Sequence, residues 1–348
     1  MKEPSGAYSR SKGAGVTIEM VAEAAGVSPS TVSRILNGSA RVKEAKKAAV
    51  EAAIARLHFV PNPAARLLAM GKSMTIGVIA QSIDSPFYGE GLRGIEDGLT
   101  GTDFAVLFTS GHWSADTERH CISQLLSRRV DGIIFLTSCL PGADIAALAA
   151  DFPVVVTGRE VKATSKSHRL HCLEFEHAKG ARLATEHLIG LGHRRIAFIG
   201  GPRDHPDAVQ RLRGYKQALA AAGLDFDERL LAGGNYREAG GEAAMAALLD
   251  AKARFTAVLA ANDQTAYGAC LALYRRKLRV PQDISVVGFD DLPGSMFTLP
   301  PLTSVHQAIY ETGQAAAKAV IDLIEGRQPT LAVPAPALAI RESTRRLG

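Results

Sequence analysis

The chain has 348 residues, 47% hydrophobic and 22% charged, too long for one ordinary core and suited to a small module plus a two-part α/β body. No apolar run approaches the ~18 residues of a membrane span, and Cys121, Cys139, Cys172 and Cys270 form no C-x-x-C pair, as expected of reduced thiols in a cytosol. Residues 1–73 hold 11 Lys/Arg against 5 Asp/Glu and the remainder 29 against 30, so the basic excess is confined to a segment that suits a polyanion.

Residues 1–15 are polar and Gly/Ser-rich without an apolar export segment, which predicts a disordered tail and a cytoplasmic protein. Thr17 caps a helix whose apolar positions Ile18, Val21, Ala22 and Ala25 share one face, and Gly26 ends it. Ser28 caps a second helix with Pro29 at its first position and Val32, Ile35 and Leu36 turned inward. A third, from about Lys43 to Leu57, carries Val50, Ala53, Ile54 and Leu57. Three such helices over residues 16–61 read as a helix-turn-helix. The second helix turns Pro29, Ser30, Ser33 and Arg34 outward with Thr31 beside them. Arginine pairs with guanine in bidentate fashion, and Thr17, Ser28, Asn37, Arg41 and Lys43 are placed for phosphates.

After Ser73, short β-rich runs (TIGVIA, FAVLFT, DGIIFL, PVVVT, RIAFIG, TAVLAA, ISVVGF) alternate with amphipathic stretches, which predicts parallel sheets flanked by helices. The pattern Arg93-Gly94-x-x-x-x-Leu99 recurs as Arg213-Gly214-x-x-x-x-Leu219, implying two similar lobes with a ligand cleft at the carboxyl ends of their strands. No phosphate-binding loop, nucleophile elbow or H-E-x-x-H helix is present, so neither catalysis nor a cofactor is expected. His168, His171, Cys172 and His177 have no zinc-site spacing, and strand alternation sends His171 and Cys172 to opposite faces.

The segments VTIEMVAEAAGVSPSTVSRILNGSARV and FVPNPAARLLAMGKS resemble the N-terminal signature of the lac repressor and galactose repressor family. That resemblance implies base reading by Pro29, Ser30 and Arg34, although a proline ring offers no hydrogen bond to a base. It also implies a hinge helix and linker over 62–73, with Asn62, Ala65 and Leu68 on the operator and Leu68 wedged into a minor-groove step. Eight residues are too few to be helical alone in water, so their ordering would be coupled to binding. Later landmarks, SPFYGEGLRGIE, HLIGLGHRRIAFIGG, AANDQTAYGACLAL and DISVVGFDDLPGSMFTLPPLTSVHQ, resemble the family's periplasmic-binding-protein-like body.

By the same resemblance the first lobe takes residues 74–175 and 306–328, and the second 176–305 and 329–348. Asp207, Arg211, Asn262 and Asp290 would contact an effector between them, with Phe87, Phe175 and Tyr236 as apolar walls and Gln81 and Asp84 after the first strand. Asn262 and Asp290 sit where a residue of their type also serves as a helix or turn cap. Glu176-His177 departs from the Asp-Asn common in the family. The implied protein is a homodimeric regulator, more a repressor than an activator, that binds a near-palindromic operator under control of a sugar. A nucleobase effector and a sugar-binding transport protein are the alternatives. The chain carries no heptad segment after RESTRR, so no tail-built tetramer is expected.

Overall fold

The computed structural model describes residues 16–36, 42–59, 71–162 and 168–347. The predicted tail 1–15, the positions Asn37 and Arg41, and Asn62, Ala65 and Leu68 of the predicted hinge helix lie outside them. The chain divides into two compact units, Met1–Ser73 and Met74–Gly348.

In the first unit, α1 spans Ile18–Ala25, α2 Pro29–Leu36 and α3 Glu44–Leu57. Thr17 Oγ1 accepts the Met20 N–H at 3.4 Å at the start of α1. Gly26, at φ 64°, closes it in the left-handed conformation that glycine adopts without a Cβ penalty. Ser28 Oγ accepts the Thr31 N–H at 3.3 Å, so α2 begins on a capped end with Pro29 at its first position. Val21, Ala22, Val32, Val50 and Ala53 are buried together with Phe59, which follows α3. Ile18, Ile35, Leu36, Ile54 and Leu57 pack around them half-buried.

In the second unit the chain runs β1 (Thr75–Ala80), α4 (Pro86–Gly98), β2 (Ala105–Ser110), α5 (Ala115–Ser127), β3 (Gly132–Leu136), α6 (Gly142–Asp151), β4 (Val154–Gly158) and β5 (Leu170–Glu174). These strands form a parallel sheet in the order β2-β1-β3-β4-β5. Then follow α7 (His177–Gly190), β6 (Ile196–Ile199), α8 (Pro206–Ala221), β7 (Leu231–Ala232), α9 (Glu238–Asp250), β8 (Ala257–Ala260), α10 (Asp263–Arg275), β9 (Ser285–Asp290), β10 (Thr303–His306), α11 (Ile309–Ile324) and β11 (Ala337–Ala339). The second sheet has the order β11-β10-β9-β8-β6-β7 and is parallel except for β11.

The strands predicted as continuous apolar runs are covered on both faces, as parallel strands between helices must be. The edge strand β2 is the exception, with Leu107 and Phe108 exposed. β5, β7, β10 and β11 were not singled out by sequence, being short or lacking an apolar run. Although α11 follows a strand of the second sheet, it packs Ala316, Ala317, Val320 and Leu323 onto the core of the first. β11 then returns the chain to the second sheet.

The repeated Arg-Gly pair has a steric cause. A Cβ on Gly94 would lie 2.1 Å from the Tyr310 carbonyl oxygen, and one on Gly214 2.0 Å from that of Ala178. Each glycine therefore lets two helices cross at backbone distance, α4 with α11 in one lobe and α7 with α8 in the other.

Candidate functional site

On the first unit, Pro29, Ser30 and Arg34 are exposed along α2, Thr31 and Ser33 are half-buried, and Lys43 is exposed just before α3. Ser28 Oγ sits 2.9 Å from both the Ser30 and Thr31 hydroxyls. The amino-terminal end of α2 therefore gathers three hydroxyls, with a fixed cation one and a half turns further on. Short donors and one planar fork on a narrow helix face suit base edges in a major groove. Thr17 and Ser28 each accept a backbone N–H, and their hydroxyl protons can still be donated to an anion.

The second unit holds a cleft of about 1180 Å³, built from segments that follow the carboxyl ends of strands in both sheets. Ser82 and Ser85 follow β1, Trp113 follows β2, Thr137 to Cys139 follow β3, and Arg159 and Glu160 follow β4. From the second sheet come His205 and Asp207 after β6, Asn235 to Arg237 after β7, Asn262 and Gln264 after β8, and Asp290 at the end of β9.

Arg211 on α8 is the buried centre of the second lobe's wall. Its guanidinium donates to the Ala261 carbonyl, to Asp290 Oδ1 at 3.3 Å, to Gln307 Oε1 at 3.4 Å and, through Nε, to His177 Nδ1 at 3.4 Å. It lies 3.9 Å from the Phe289 ring centroid, where a guanidinium gains from the π face. Burial pushes the Asp290 carboxyl up to about 8 against the pull of Arg211, helped by repulsion from Asp263 and Asp207. For Asp207 burial acts in the same sense, but His177, 3.3 Å away, and His205 and Arg211 outweigh it and bring the carboxyl down to about 2.

Two further pairs form at the cleft: Lys179 with Glu176 at 2.8 Å, and Arg237 with Asp84 at 2.8 Å. Thr157 Oγ1, Arg159 Nε, His177 Nε2 and Tyr236 OH are buried without a hydrogen-bond partner, an expensive condition unless a ligand supplies one. Trp113, Thr137, Tyr236 and Asp290 all hold positive φ, at 57°, 64°, 63° and 102°. Backbone strain of this kind in non-glycine residues gathers at binding sites.

Phe87, Phe175, Asp207, Arg211, Tyr236, Asn262 and Asp290 line this cleft; Gln81 and Asp84 do not. Gln81 is fully buried beneath it, where it donates to Glu118 at 3.1 Å and to the Thr137 carbonyl at 3.3 Å and accepts the Trp113 N–H at 2.9 Å. It therefore positions lining residues without reaching the space. Asp84 is exposed and engaged by Arg237. Asn262 caps α10, accepting the Thr265 N–H at 3.0 Å, and donates to the Tyr236 carbonyl at 3.1 Å, so it holds the strained tyrosine in place. Sequence reasoning did not select Tyr88, Trp113, Thr157, Arg159, His177 or Arg237 as contacts. The rule that ligands meet the carboxyl ends of strands would have found Trp113 and Arg159.

Among the described residues no group of three metal-ligating side chains is present, and no helix is long and apolar enough to cross a membrane. His171 Nε2 lies 3.0 Å from the Leu331 carbonyl oxygen, while Cys172 packs in the core that includes Val161.

The model of bacterial regulatory proteins of the lacI family matches residues 17–62, and that of a periplasmic binding protein-like domain matches residues 185–344. The chain is 35% identical over 311 residues to the HTH-type transcriptional regulator GalR of Escherichia coli (strain K12), covering 89% of this chain and 90% of that protein. It is 36% identical over 335 residues to the HTH-type transcriptional regulator CelR of Thermobifida fusca, covering 94% and 98%. Among solved structures it is similar to the lac repressor dimer bound to operator and the anti-inducer ONPF, with a TM-score of 0.83 at 30% identity over 95% of this chain and 100% of the other. It is also similar to a CelR–cellobiose complex, with a TM-score of 0.68 at 34% identity over 94% and 99%.

Proposed function

The chain belongs to the lacI family of bacterial regulatory proteins, and from that premise we propose that it is a cytoplasmic, homodimeric repressor whose hold on its operator is set by a neutral sugar bound in the cleft. The observation that carries the effector reading is the make-up of the cleft's lining. It sets hydroxyl, phenol, imidazole, amide and guanidinium side chains around one space, and such groups suit the hydroxyls of a polyol. Phe87, Phe175 and Trp113 offer ring faces to C–H groups.

The operator is read by Pro29, Ser30, Thr31, Ser33 and Arg34, with Thr17, Ser28, Asn37, Arg41 and Lys43 on phosphates and Asn62, Ala65 and Leu68 in the hinge. The lobe boundaries run 74–175 with 306–328 and 176–305 with 329–348. Dimerisation is supported by an apolar surface on the second lobe. Leu271 and Tyr274 share the α10 face of Tyr267, whose hydroxyl meets Ser295 at 2.8 Å, next to Phe297 and Leu299, which are 82% and 97% exposed. Effector binding works as a population shift between lobe arrangements that favour or disfavour the operator-bound dimer.

The test is a gel-shift series on operator candidates, repeated with galactose, ribose and cellobiose. Sequence-preferring binding altered by one of these sugars is expected. Binding without preference for any duplex, or preference that no sugar changes, rejects the respective half of the proposal.

A further inference from the structure

We propose that Trp113 is a specificity-determining residue of the cleft: its indole packs on the C–H face of the bound sugar and so selects a cyclic sugar over the corresponding open-chain polyol. The inference rests on the sugar-effector reading above and says which feature of the sugar is recognised.

Trp113 is the only tryptophan of the chain. It lies in the turn between β2 and α5, and both it and His112 hold positive φ, 57° and 51°, a conformation that a bulky side chain keeps only when its surroundings impose it. Here they do so from the end of β1. The His112 N–H donates to the Gln81 carbonyl at 3.1 Å and the Trp113 N–H to Gln81 Oε1 at 2.9 Å. The Gln81 side chain is held in turn by Glu118 and by the Thr137 carbonyl. The backbone that carries the indole is therefore set in advance, which lowers the ordering cost of binding against it.

Four rings stand in a row on the first sheet's side of the cleft. Trp113 and Tyr88 have centroids 6.2 Å apart, Tyr88 and Phe87 5.3 Å, and Phe87 and Phe175 6.5 Å. Tyr88 and Phe175 are buried and Phe87 is half-buried, whereas Trp113 is 42% exposed. Of the four, the indole has the most free surface to give a ligand. It also reaches the opposite wall, meeting His205 after β6 at 4.7 Å between centroids and 77° between planes, and His205 stands 5.4 Å from Tyr236. A sugar ring carries hydroxyls around its rim and C–H groups on its faces. A rigid aromatic plane gains from the faces and offers nothing to the rim. The polar groups of the lining read hydroxyls, which a cyclic sugar and its open-chain polyol share, so the choice between the two falls to the aromatic surface.

The test follows the full-length wild-type protein during titration with galactose, ribose, cellobiose and the alditol of each, by calorimetry and by fluorescence of its single tryptophan. The calorimetry is repeated on Trp113→Ala and Trp113→Phe. For whichever sugar binds, the indole emission should shift in step with the calorimetric isotherm, and acrylamide should quench it less in the complex. The alditol should bind wild type about tenfold or more weakly than its sugar. That gap should narrow in Trp113→Ala, through weaker binding of the sugar, and reopen in part in Trp113→Phe. The fluorescence needs no variant, so it decides the matter even if Trp113→Ala fails to fold. Sugar binding that leaves emission and quenching unchanged, or a preference over the alditol that survives whole in Trp113→Ala, overturns the proposal while leaving the sugar reading intact. Absence of binding by any of the sugars to wild type overturns both.

Discussion

Arg237 Nη1 lies 2.8 Å from Asp84 Oδ2, and Nη2 of the same guanidinium donates to Ser82 Oγ at 2.9 Å. One side chain from the loop after β7 thus joins the second lobe to the loop after β1 of the first. Ser85 and Gln264 approach at 3.5 Å between the same two lobes. The pairing holds the Asp84 carboxyl far below its usual range, chiefly through the Arg237 hydrogen bond. Arg237→Ala is expected to let the lobes separate in effector-free protein, read as a larger radius of gyration in small-angle scattering. It should also weaken effector binding modestly, because closure must then be driven by the ligand alone. An exposed pair is screened by salt, so high ionic strength should mimic the variant in part. An unchanged scattering curve would count against the latch.

The buried carboxylates set a pH dependence of opposite signs. Asp290 is raised by burial from 3.8 to about 8, so the folded chain holds a proton that the unfolded chain has released. Its stabilising contribution is complete below 3.8 and is lost as pH rises toward about 8. Asp207, drawn down to about 2 by the imidazole beside it despite burial, contributes above 3.8 and loses that contribution as pH falls toward about 2. In Asp290→Asn the first dependence disappears. The advantage in Tm of wild type over the variant should therefore shrink between about pH 5 and about pH 8; a constant difference across that range would contradict the assignment.

Gly94→Ala and Gly214→Ala each force a methyl group into a carbonyl oxygen of the neighbouring helix. Each should cost about 1–3 kcal/mol in urea unfolding. Gly89, on α4 with nothing within 4 Å of its would-be Cβ, is the control. There alanine should stabilise by about 0.4–1 kcal/mol, since it lowers the entropy of the unfolded chain without strain. Equal effects at Gly89 and Gly94 would remove the close-approach explanation.

Arg34→Ala should weaken operator binding by about 1–3 kcal/mol and relax discrimination at one base pair. Lys43→Ala, acting on a phosphate, should weaken specific and random DNA alike and reduce the salt slope by about one. Leu68→Ala should lower both affinity and bend angle if the hinge inserts its leucine. A competition series with mutated operators and circular-permutation bend assays separate these effects.

The local rules of the sequence were sufficient for the three helices of the first unit and for the strands with long apolar runs, though not for β5, β7, β10 and β11. Thr17, Gly26, Ser28 and Pro29 marked the ends of α1 and α2 because capping acts within four residues. Runs such as TIGVIA were legible as buried parallel strands because no polar residue interrupts Ile76 to Ala80. The paired Arg-Gly motif pointed to two similar lobes, although its steric cause emerged only from the packing of α4 on α11 and of α7 on α8.

The cleft was legible in part. Asp207, Arg211 and Asp290 were placed there by the family resemblance and line it, whereas Gln81 and Asp84, both near the end of β1, turn beneath the floor and across to the other lobe. Position after a strand fixes which rim a residue occupies, but the twist of the loop decides whether its side chain enters the space.

By itself the sequence determined most of the elements, the two-lobed α/β plan with its basic helix-turn-helix, and the family, because these depend on patterns repeated within a few residues or on long stretches of similarity. Only the tertiary structure decided that Thr157, His177 and Tyr236 lie unsatisfied in one cleft, that Asn262 caps α10 while lining that cleft, and that Arg237 spans the lobes. Those facts depend on desolvation and on distances between segments as far as 153 residues apart, which no local pattern encodes.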